Sequence, residues 1–257
     1  MNLLILDAGH AKNTAGKNNA KENFYEWEFN NDMQYKIKAR CEELGIKVFL
    51  TNQNPATVSD IPLSTRASLA NDYWIKNNKC KAMFISLHGN AFDNASVRGT
   101  ETYHAKNAST TSKNFAKTLN DEIVKTVKSL DENAKDRGVK SENFTVIYKA
   151  SMPSVLVEYG FYSNLDDLKI LKNNQDDLTE ATIKAICTYF GVQYKAKKVT
   201  TTTSNTNTSV NTSTKTEIWH RVVCGSFKSE EAAKARIKEL EAKGFSGNFI
   251  IKFEKQV

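Results

Sequence analysis

The chain has 257 residues, 40% hydrophobic and 25% charged, which is enough for one full-sized globular domain and a smaller second unit. No stretch approaches the roughly 20 apolar residues that cross a bilayer, so we expect no insertion into a membrane. The net charge of +7 is unevenly distributed along the chain. Residues 1–195 hold 25 basic and 23 acidic side chains, whereas residues 196–257 hold 11 basic and 6 acidic ones. Such a basic C-terminal part could bind an anionic polymer, such as nucleic acid or a bacterial wall that carries teichoic acid.

Apolar runs and helix-like segments alternate along the first 195 residues. The first run, Asn2–Leu6, is apolar from Leu3 onward, which predicts a strand buried on both faces. Further strands are predicted at 46–51, 81–88, 100–103 and 154–158, and helices at 26–44, 64–77, 111–130 and 176–190. Gly45 is placed to end the first helix. The alternation predicts an α/β fold with a mainly parallel twisted sheet and helices on both faces.

The remaining residues divide into a linker and a small unit. Of the 18 residues Val199–Thr216, 15 are Thr, Ser or Asn, and with only two valines among them this segment has no set of apolar side chains to bury. Residues 217–257 have a β-α-β pattern, with strands at 218–223 and 249–253 around a helix that starts after Ser229 and stops at Gly244. We therefore predict a large domain over 1–195, a flexible linker over 196–216 and a small domain over 217–257.

Three predicted strands each end with a side chain that has metal or acid–base chemistry. His10 follows the first strand, and His88 and Glu158 end two later ones. The carboxyl ends of parallel strands meet at one edge of a sheet, where ligands bind in open α/β folds. Two histidines and a carboxylate, with one position left for water, are typical of catalytic zinc. The other histidines, His104 and His220, lack such partners and are expected to be structural or peripheral.

Six motifs accompany these residues in the sequence. They are LDAGH (Leu6–His10), EWEFN (Glu26–Asn30), GIKVFLT (Gly45–Thr51), LSTRASLAN (Leu63–Asn71), SLHGN (Ser86–Asn90) and PSVLVEYGFYSN (Pro153–Asn164). In order and spacing they resemble the zinc-dependent N-acetylmuramoyl-L-alanine amidases of bacterial autolysins and phage endolysins, over about residues 2–192. Two departures, Ala11–Thr14 in place of a glycine-rich stretch and Asn52 in place of an arginine, leave the shape of the loops open.

The resemblance, carried over position by position, implies the roles of the site residues. His10, Glu26 and His88 become the ligands of one Zn²⁺, and Glu158 becomes the catalytic acid–base residue. The implied reaction is hydrolysis of the amide between N-acetylmuramic acid and the L-alanine of the stem peptide. Asn90 is a candidate contact to the substrate.

The assignment of Glu26 depends on the family's spacing, because Glu22 and Glu28 lie close by. Counted back from Gly45, that spacing selects Glu26. Glu22 falls in the loop before the helix, and Glu28 points about 200° away from Glu26 around the helix. We expect Glu28 to be a solvated charge.

The small domain resembles the first half of a SPOR-type repeat. The matching segments are Trp219–Phe227, Ala232–Ala233 and Gly244–Phe245. That family binds septal peptidoglycan with a β-α-β-β-α-β unit, whereas this chain has one β-α-β, which leaves strand edges unpaired. We therefore expect a homodimer through residues 217–257, paired about a two-fold axis; the alternative is a monomeric unit of little stability.

Together the resemblances predict a peptidoglycan hydrolase that acts as a phage endolysin and lyses the host. A host mother-cell or sporulation lytic amidase is the alternative, and a non-catalytic wall-binding protein is disfavoured by the complete set of site residues. Binding of nucleic acid rests on charge alone, so bacterial peptidoglycan is the expected partner. The N-terminus has no basic segment and no cleavage site, so we expect synthesis in the bacterial cytoplasm without a signal peptide and action on the wall after release.

Overall fold

The computed structural model describes residues 1–56, 59–197 and 229–242, and the chain divides into two compact units, residues 1–200 and 201–257. The first unit contains, in chain order, β1 (Asn2–Ala8), β2 (Asn18–Asn19), a 3₁₀ turn (Ala20–Glu22), β3 (Phe24–Tyr25), α1 (Glu26–Glu43), β4 (Lys47–Leu50), α2 (Leu63–Lys76), β5 (Lys81–Asn90), β6 (Thr100–His104), α3 (Thr110–Leu130), β7 (Asp136–Ser141), α4 (Thr145–Lys149), β8 (Ser154–Phe161), α5 (Leu165–Asn173) and α6 (Gln175–Phe190). The described part of the second unit is the helix α7 (Glu230–Ala242).

Six strands form the central sheet in the order β4-β1-β5-β8-β6-β7. The first four run parallel to one another, β6 runs antiparallel to β8, and β7 runs parallel to β6. The helices α1, α3, α5 and α6 pack on one face, and α2 and α4 pack on the other. The predicted α/β class, with a mainly parallel sheet between two helical layers, is confirmed.

The strand β1 shows why the first apolar run is unbroken. Leu4 and Leu6 lie in the core beneath α1 and α6, while Leu3 and Ile5 lie in the core beneath α2 and α4, and all four are fully buried. Because successive side chains point to opposite faces, a strand that is covered on both sides needs apolar residues at every position.

The helices and strands predicted within the first 195 residues agree with the observed elements to within a few residues, and Gly45 ends α1 with φ of +74°. Four features were not predicted from the sequence: the short β2–β3 hairpin, the strand β7, and the helices α4 and α5. β7 has the sequence DRGVKS and is an exposed edge strand, so it carries no apolar run. The five-residue α4 is too short to show a helical period.

In the second unit, Ser229 accepts a hydrogen bond from the backbone N–H of Ala232 at 3.2 Å, which is the predicted N-cap of α7. The predicted strands at 218–223 and 249–253 lie outside the described residues, as does most of the predicted linker. Within the described ranges, no helix combines the length and the apolar character that crossing a membrane requires.

Candidate metal centre

Glu26 is the first residue of α1 and is almost fully buried. Its backbone N–H donates to the carbonyl oxygen of Lys17 at 3.0 Å. One turn later, Asn30 donates from Nδ2 to the carbonyl oxygen of Gly9 at 3.1 Å and to Oε1 of Glu26 at 3.4 Å. The N-terminal end of a helix favours a carboxylate, so α1 supplies a buried negative charge at the end of β1.

His10 lies just after β1 with φ of +64°, in the left-handed region that few residues other than glycine adopt. Its carbonyl oxygen accepts from Nδ2 of Asn52 at 2.9 Å, and the same amide donates to the carbonyl oxygen of Ala8 at 3.1 Å. Asn52 is fully buried. The position that departs from the family's arginine therefore holds the backbone of His10, a role that the sequence analysis did not identify.

His88 occupies the carboxyl-terminal part of β5. Its Nδ1 lies 3.0 Å from Oε1 of Glu26, and Nε2 of His10 lies 3.3 Å from the same oxygen. The two imidazole rings meet edge to face, with their centroids 5.2 Å apart. One ligand atom from each of the three residues lies within 4.8 Å of the others. The structure thus brings together the three side chains predicted to be metal ligands.

This donor set fits a divalent metal ion. Two imidazoles and one carboxylate are ligands that first-row transition metals and zinc accept. Burial by itself raises the pKa of Glu26, but the neighbouring imidazoles of His10 and His88 outweigh it and lower the pKa from 4.5 to about 2. The carboxylate is therefore in the ionised form that a metal ligand requires.

Glu158 lies beside His88, because β5 and β8 are parallel neighbours and pair these two residues in register. Its Oε2 is buried and has no hydrogen-bond partner among the described residues. Burial raises the pKa of Glu158 well above its usual value, and the negative charges of Glu26 and Glu101 raise it further. A carboxyl group that holds a proton more tightly than usual is suited to general acid–base chemistry near neutral pH.

Glu101, which the sequence analysis missed, pairs in register with Glu158 across β6 and β8 and is 2% exposed. Its Oε1 accepts from Nδ2 of Asn90 at 2.8 Å and from the hydroxyl of Tyr103 at 2.7 Å. Its Oε2 accepts from Nε of Arg137 at 2.6 Å and from the ammonium of Lys140. No local pattern in the sequence of β6, TETYH, marks it as buried.

The structure also places the other candidates of the sequence analysis. Asn90 lies beside Glu101, and its Oδ1 accepts from the backbone N–H of Ala91 at 2.8 Å. Glu22 and Glu28 are both exposed, and neither belongs to the group of possible metal ligands found among the described residues. His104 bonds from Nδ1 to the carbonyl oxygen of its neighbour Ala105 and joins no ligand cluster in the described part of the chain.

Gly9 makes room for the His88 imidazole, and this leads to a testable prediction. A Cβ at residue 9 would lie 2.2 Å from Cε1 of His88, so Gly9→Ala is expected to push the ring away from Glu26. We expect affinity for Zn²⁺ to fall by about 10- to 100-fold, the range for changes just outside the ligands. Competition with a chromophoric chelator measures it.

Gly89→Ala is the matched control, because its Cβ would make only ordinary contacts, 3.5 Å from Tyr162 and 3.8 Å from Glu26. Neither glycine has a positive φ, so neither substitution strains the backbone. A Gly9→Ala protein that binds Zn²⁺ as tightly as the Gly89→Ala protein would contradict the role assigned to this contact.

Comparison with known proteins agrees with the geometry. Residues 4–188 match the family described as N-acetylmuramoyl-L-alanine amidase, and residues 193–252 match the SPOR domain. The second match begins before the predicted small domain and includes the segment predicted to be the linker.

Three curated relatives illustrate the range of similarity. The chain is 28% identical over 170 residues to N-acetylmuramoyl-L-alanine amidase LytC of Bacillus subtilis, covering 66% of this chain but 31% of that protein. It is 30% identical over 199 residues to the endolysin of Bacillus phage SPP1, covering 76% of this chain and 68% of the endolysin. It is 22% identical over 257 residues to the sporulation-specific N-acetylmuramoyl-L-alanine amidase of Bacillus subtilis, covering 97% and 84% of the two chains.

Solved structures share the fold of the first unit. The catalytic domain of the amidase CwlV from Bacillus (Paenibacillus) polymyxa var. colistinus is 27% identical with a TM-score of 0.64, covering 75% of this chain and all of that one. An N-acetylmuramoyl-L-alanine amidase from Clostridium difficile 630 is 28% identical with a TM-score of 0.62, covering 74% and 97%. Because the family match extends over most of the sequence and includes every residue of the candidate metal centre, the chain belongs to the N-acetylmuramoyl-L-alanine amidase family.

Proposed function

We propose that the chain hydrolyses the amide bond between N-acetylmuramic acid and the L-alanine of the peptidoglycan stem peptide, with one Zn²⁺ held by His10, Glu26 and His88. The observation that carries this proposal is the convergence of both imidazoles on Oε1 of Glu26, at 3.0 and 3.3 Å. Zinc in such a site supplies a Lewis acid for the scissile carbonyl and lowers the pKa of water to about 7.

The proposed proton carrier is Glu158. It takes the proton of the attacking water and passes it to the amine of the departing L-alanine. Two features support this role: its register position beside His88 and the raised pKa of its carboxyl group. Asn90 is proposed to contact the substrate, since it ends β5 two residues after His88 and holds Glu101 next to Glu158.

Removal of the metal tests the proposal directly. Chelation is expected to abolish the release of new L-alanine amino groups from purified peptidoglycan, because the three ligand side chains without a metal ion supply no electrophile for the scissile carbonyl. One equivalent of Zn²⁺ should restore the rate. Release of reducing sugars, measured in the same samples, distinguishes an amidase from a glycosidase.

The result that would overturn the proposal is an undiminished rate of amino-group release after complete chelation. The absence of any such release by the zinc-loaded chain would support the non-catalytic, wall-binding alternative instead. Mg²⁺ added in place of Zn²⁺ is the control, because an ion that prefers oxygen ligands should not restore the activity.

We propose that the biological role is that of a phage endolysin. The similarity to the endolysin of phage SPP1 supports this role, because the two sequences are 30% identical and the alignment covers 68% of the endolysin. The sporulation role remains the second candidate, because the sporulation-specific relative aligns along 97% of this chain. An antibody against the chain should detect it in the lysate after prophage induction, whereas detection only in sporangia would favour sporulation.

We also propose that the C-terminal unit binds the wall and pairs two chains through residues 217–257. The match of residues 193–252 to the SPOR domain supports wall binding, and the single β-α-β pattern supports pairing. Sedimentation of the full chain at tens of micromolar should give about twice the monomer mass of 28.9 kDa. A chain that ends at residue 197 should sediment as a monomer, and a monomeric full-length chain would refute the dimer.

A further inference from the structure

The hydroxyl of Ser86 connects two side chains at the base of the metal centre. Its Oγ lies 2.8 Å from Oδ2 of Asp7 and 3.2 Å from Nε2 of His88. All three residues belong to the neighbouring strands β1 and β5, and Asp7 and Ser86 are paired in register. Ser86 is fully buried and Asp7 is 1% exposed, so no water competes for this hydroxyl.

The hydrogen bonds of Asp7 fix the direction of the serine proton. Oδ1 of Asp7 accepts from the hydroxyl of Thr51 at 2.5 Å and from Nη1 of Arg66 at 3.2 Å. As the ion-pair partner of Arg66, Asp7 is a carboxylate and offers acceptors only. The bond between Asp7 and Ser86 therefore uses the single proton of the serine hydroxyl.

Ser86 is then left with lone pairs toward His88. The contact at 3.2 Å is a hydrogen bond only if Nε2 of His88 carries a proton and donates it to Oγ. In a neutral imidazole the other nitrogen, Nδ1, then has a free lone pair. Nδ1 is the atom that faces Glu26, at 3.0 Å.

We propose that Asp7 and Ser86 are positioning residues that hold His88 as the Nε2–H tautomer, so that Nδ1 is the atom that binds the metal. The inference rests on the proposed function, because it concerns a ligand of the proposed zinc site. In this arrangement Nε2–H of His88 donates to Ser86, and the hydroxyl of Ser86 donates to Asp7. These two hydrogen bonds fix both the orientation and the tautomer of the His88 ring. Such outer partners tune the affinity of a metal ligand without touching the metal.

Two substitutions disturb this relay, the chain of hydrogen bonds from His88 through Ser86 to Asp7, in different ways. Ser86→Ala removes the acceptor and leaves both tautomers available, so the affinity for Zn²⁺ is expected to fall by about 10-fold, the lower end for outer partners. Asp7→Asn places an amide N–H where Oδ2 was, because Oδ1 still faces Arg66 and Thr51. The amide then donates to Ser86, the serine proton turns to Nε2 of His88, and Nδ1 becomes protonated. We expect about 100-fold weaker binding.

The double variant separates the relay from a merely structural effect. Tautomer inversion by Asp7→Asn requires the hydroxyl of Ser86, so the chain carrying both changes should bind Zn²⁺ as well as Ser86→Ala alone. If Asp7 acted only by supporting the fold, the double variant would bind no better than Asp7→Asn. Ser154→Ala is the matched control, since it deletes a buried hydroxyl on β8 that bonds to Ile147 and not to His88.

Nitrogen NMR of the full chain loaded with ¹¹³Cd²⁺ gives a second readout that does not depend on activity. The sequence has 4 histidines, so the ring nitrogens can be assigned by substitution. We expect the one-bond cadmium coupling of His88 at Nδ1 and a slowly exchanging proton at Nε2. Coupling at Nε2, or a double variant that binds Zn²⁺ as weakly as Asp7→Asn, would overturn this inference and leave the proposed metal site intact. A parent chain that binds neither Zn²⁺ nor Cd²⁺ would overturn the proposed metal site as well.

Discussion

Glu158→Gln is expected to lower the rate of L-alanine release by about 10²- to 10⁴-fold, the contribution of a positioned general acid–base group, while the zinc content stays at one per chain. Glutamine keeps the size and one acceptor of the side chain but cannot take up or return a proton. The proposed metal ligands lie on other elements, since Glu26 is on α1 and His88 is on β5. Amino-group release and zinc content, measured on the same preparation, check both parts.

The stability of this variant gives an independent check of the environment of Glu158. The carboxyl group is buried, Oε2 has no partner among the described residues, and the negative charges of Glu26 and Glu101 oppose its ionisation. A neutral amide removes that electrostatic cost, so the unfolding temperature of the metal-free variant should equal or exceed that of the parent chain. Such an increase in stability is expected when a catalytic group destabilises the folded state.

Glu28→Gln is the matched control for Glu158→Gln, because it makes the same chemical change on the exposed side of α1. It should leave the rate and the zinc content unchanged. A Glu158→Gln protein that retains near-parental activity would show that another group carries the proton. A loss of zinc in that variant would instead make Glu158 a ligand.

The sequence predicted the parts of the site that depend on local patterns. Strands buried on both faces produce unbroken apolar runs, and the residue after each run must lie at the edge of the sheet. The sequence alone therefore sufficed to place His10, His88 and Glu158 together. Glu26 could not be derived in this way, because its position relies on how α1 packs against the sheet; the family resemblance supplied it.

Other parts of the site depend on contacts between residues far apart in the sequence. The left-handed backbone of His10 is held by Asn52, which lies 42 positions away. Glu101 is buried only because Arg137 and Lys140 arrive on the edge strand β7 to pair with it. No local periodicity encodes such pairs. A charged residue on a strand predicts solvent exposure unless its partner is known.

Arg66→Met is expected to lower the free energy of unfolding by about 3–5 kcal/mol, the cost of removing one partner of a buried ion pair. Arg66 is 1% exposed and bonds to Asp7 at 3.2 Å and Asp60 at 2.5 Å. It also donates to the carbonyl oxygen of Ala8 at the end of β1. For a domain of this size the unfolding temperature should fall by roughly 6–20 °C, which circular dichroism of the metal-free chain measures.

The control and the rescue both follow from the location of the charges. Lys117→Met removes a cation whose side chain is 71% exposed and pairs with Asp121 one turn away, so it should change stability by less than about 1 kcal/mol. Adding Asp7→Asn to Arg66→Met should recover part of the loss, because the charge left without its counterion is then gone from the core. Losses that simply add would show that Arg66 stabilises the end of β1 through packing and the carbonyl of Ala8, and that its charge contributes little.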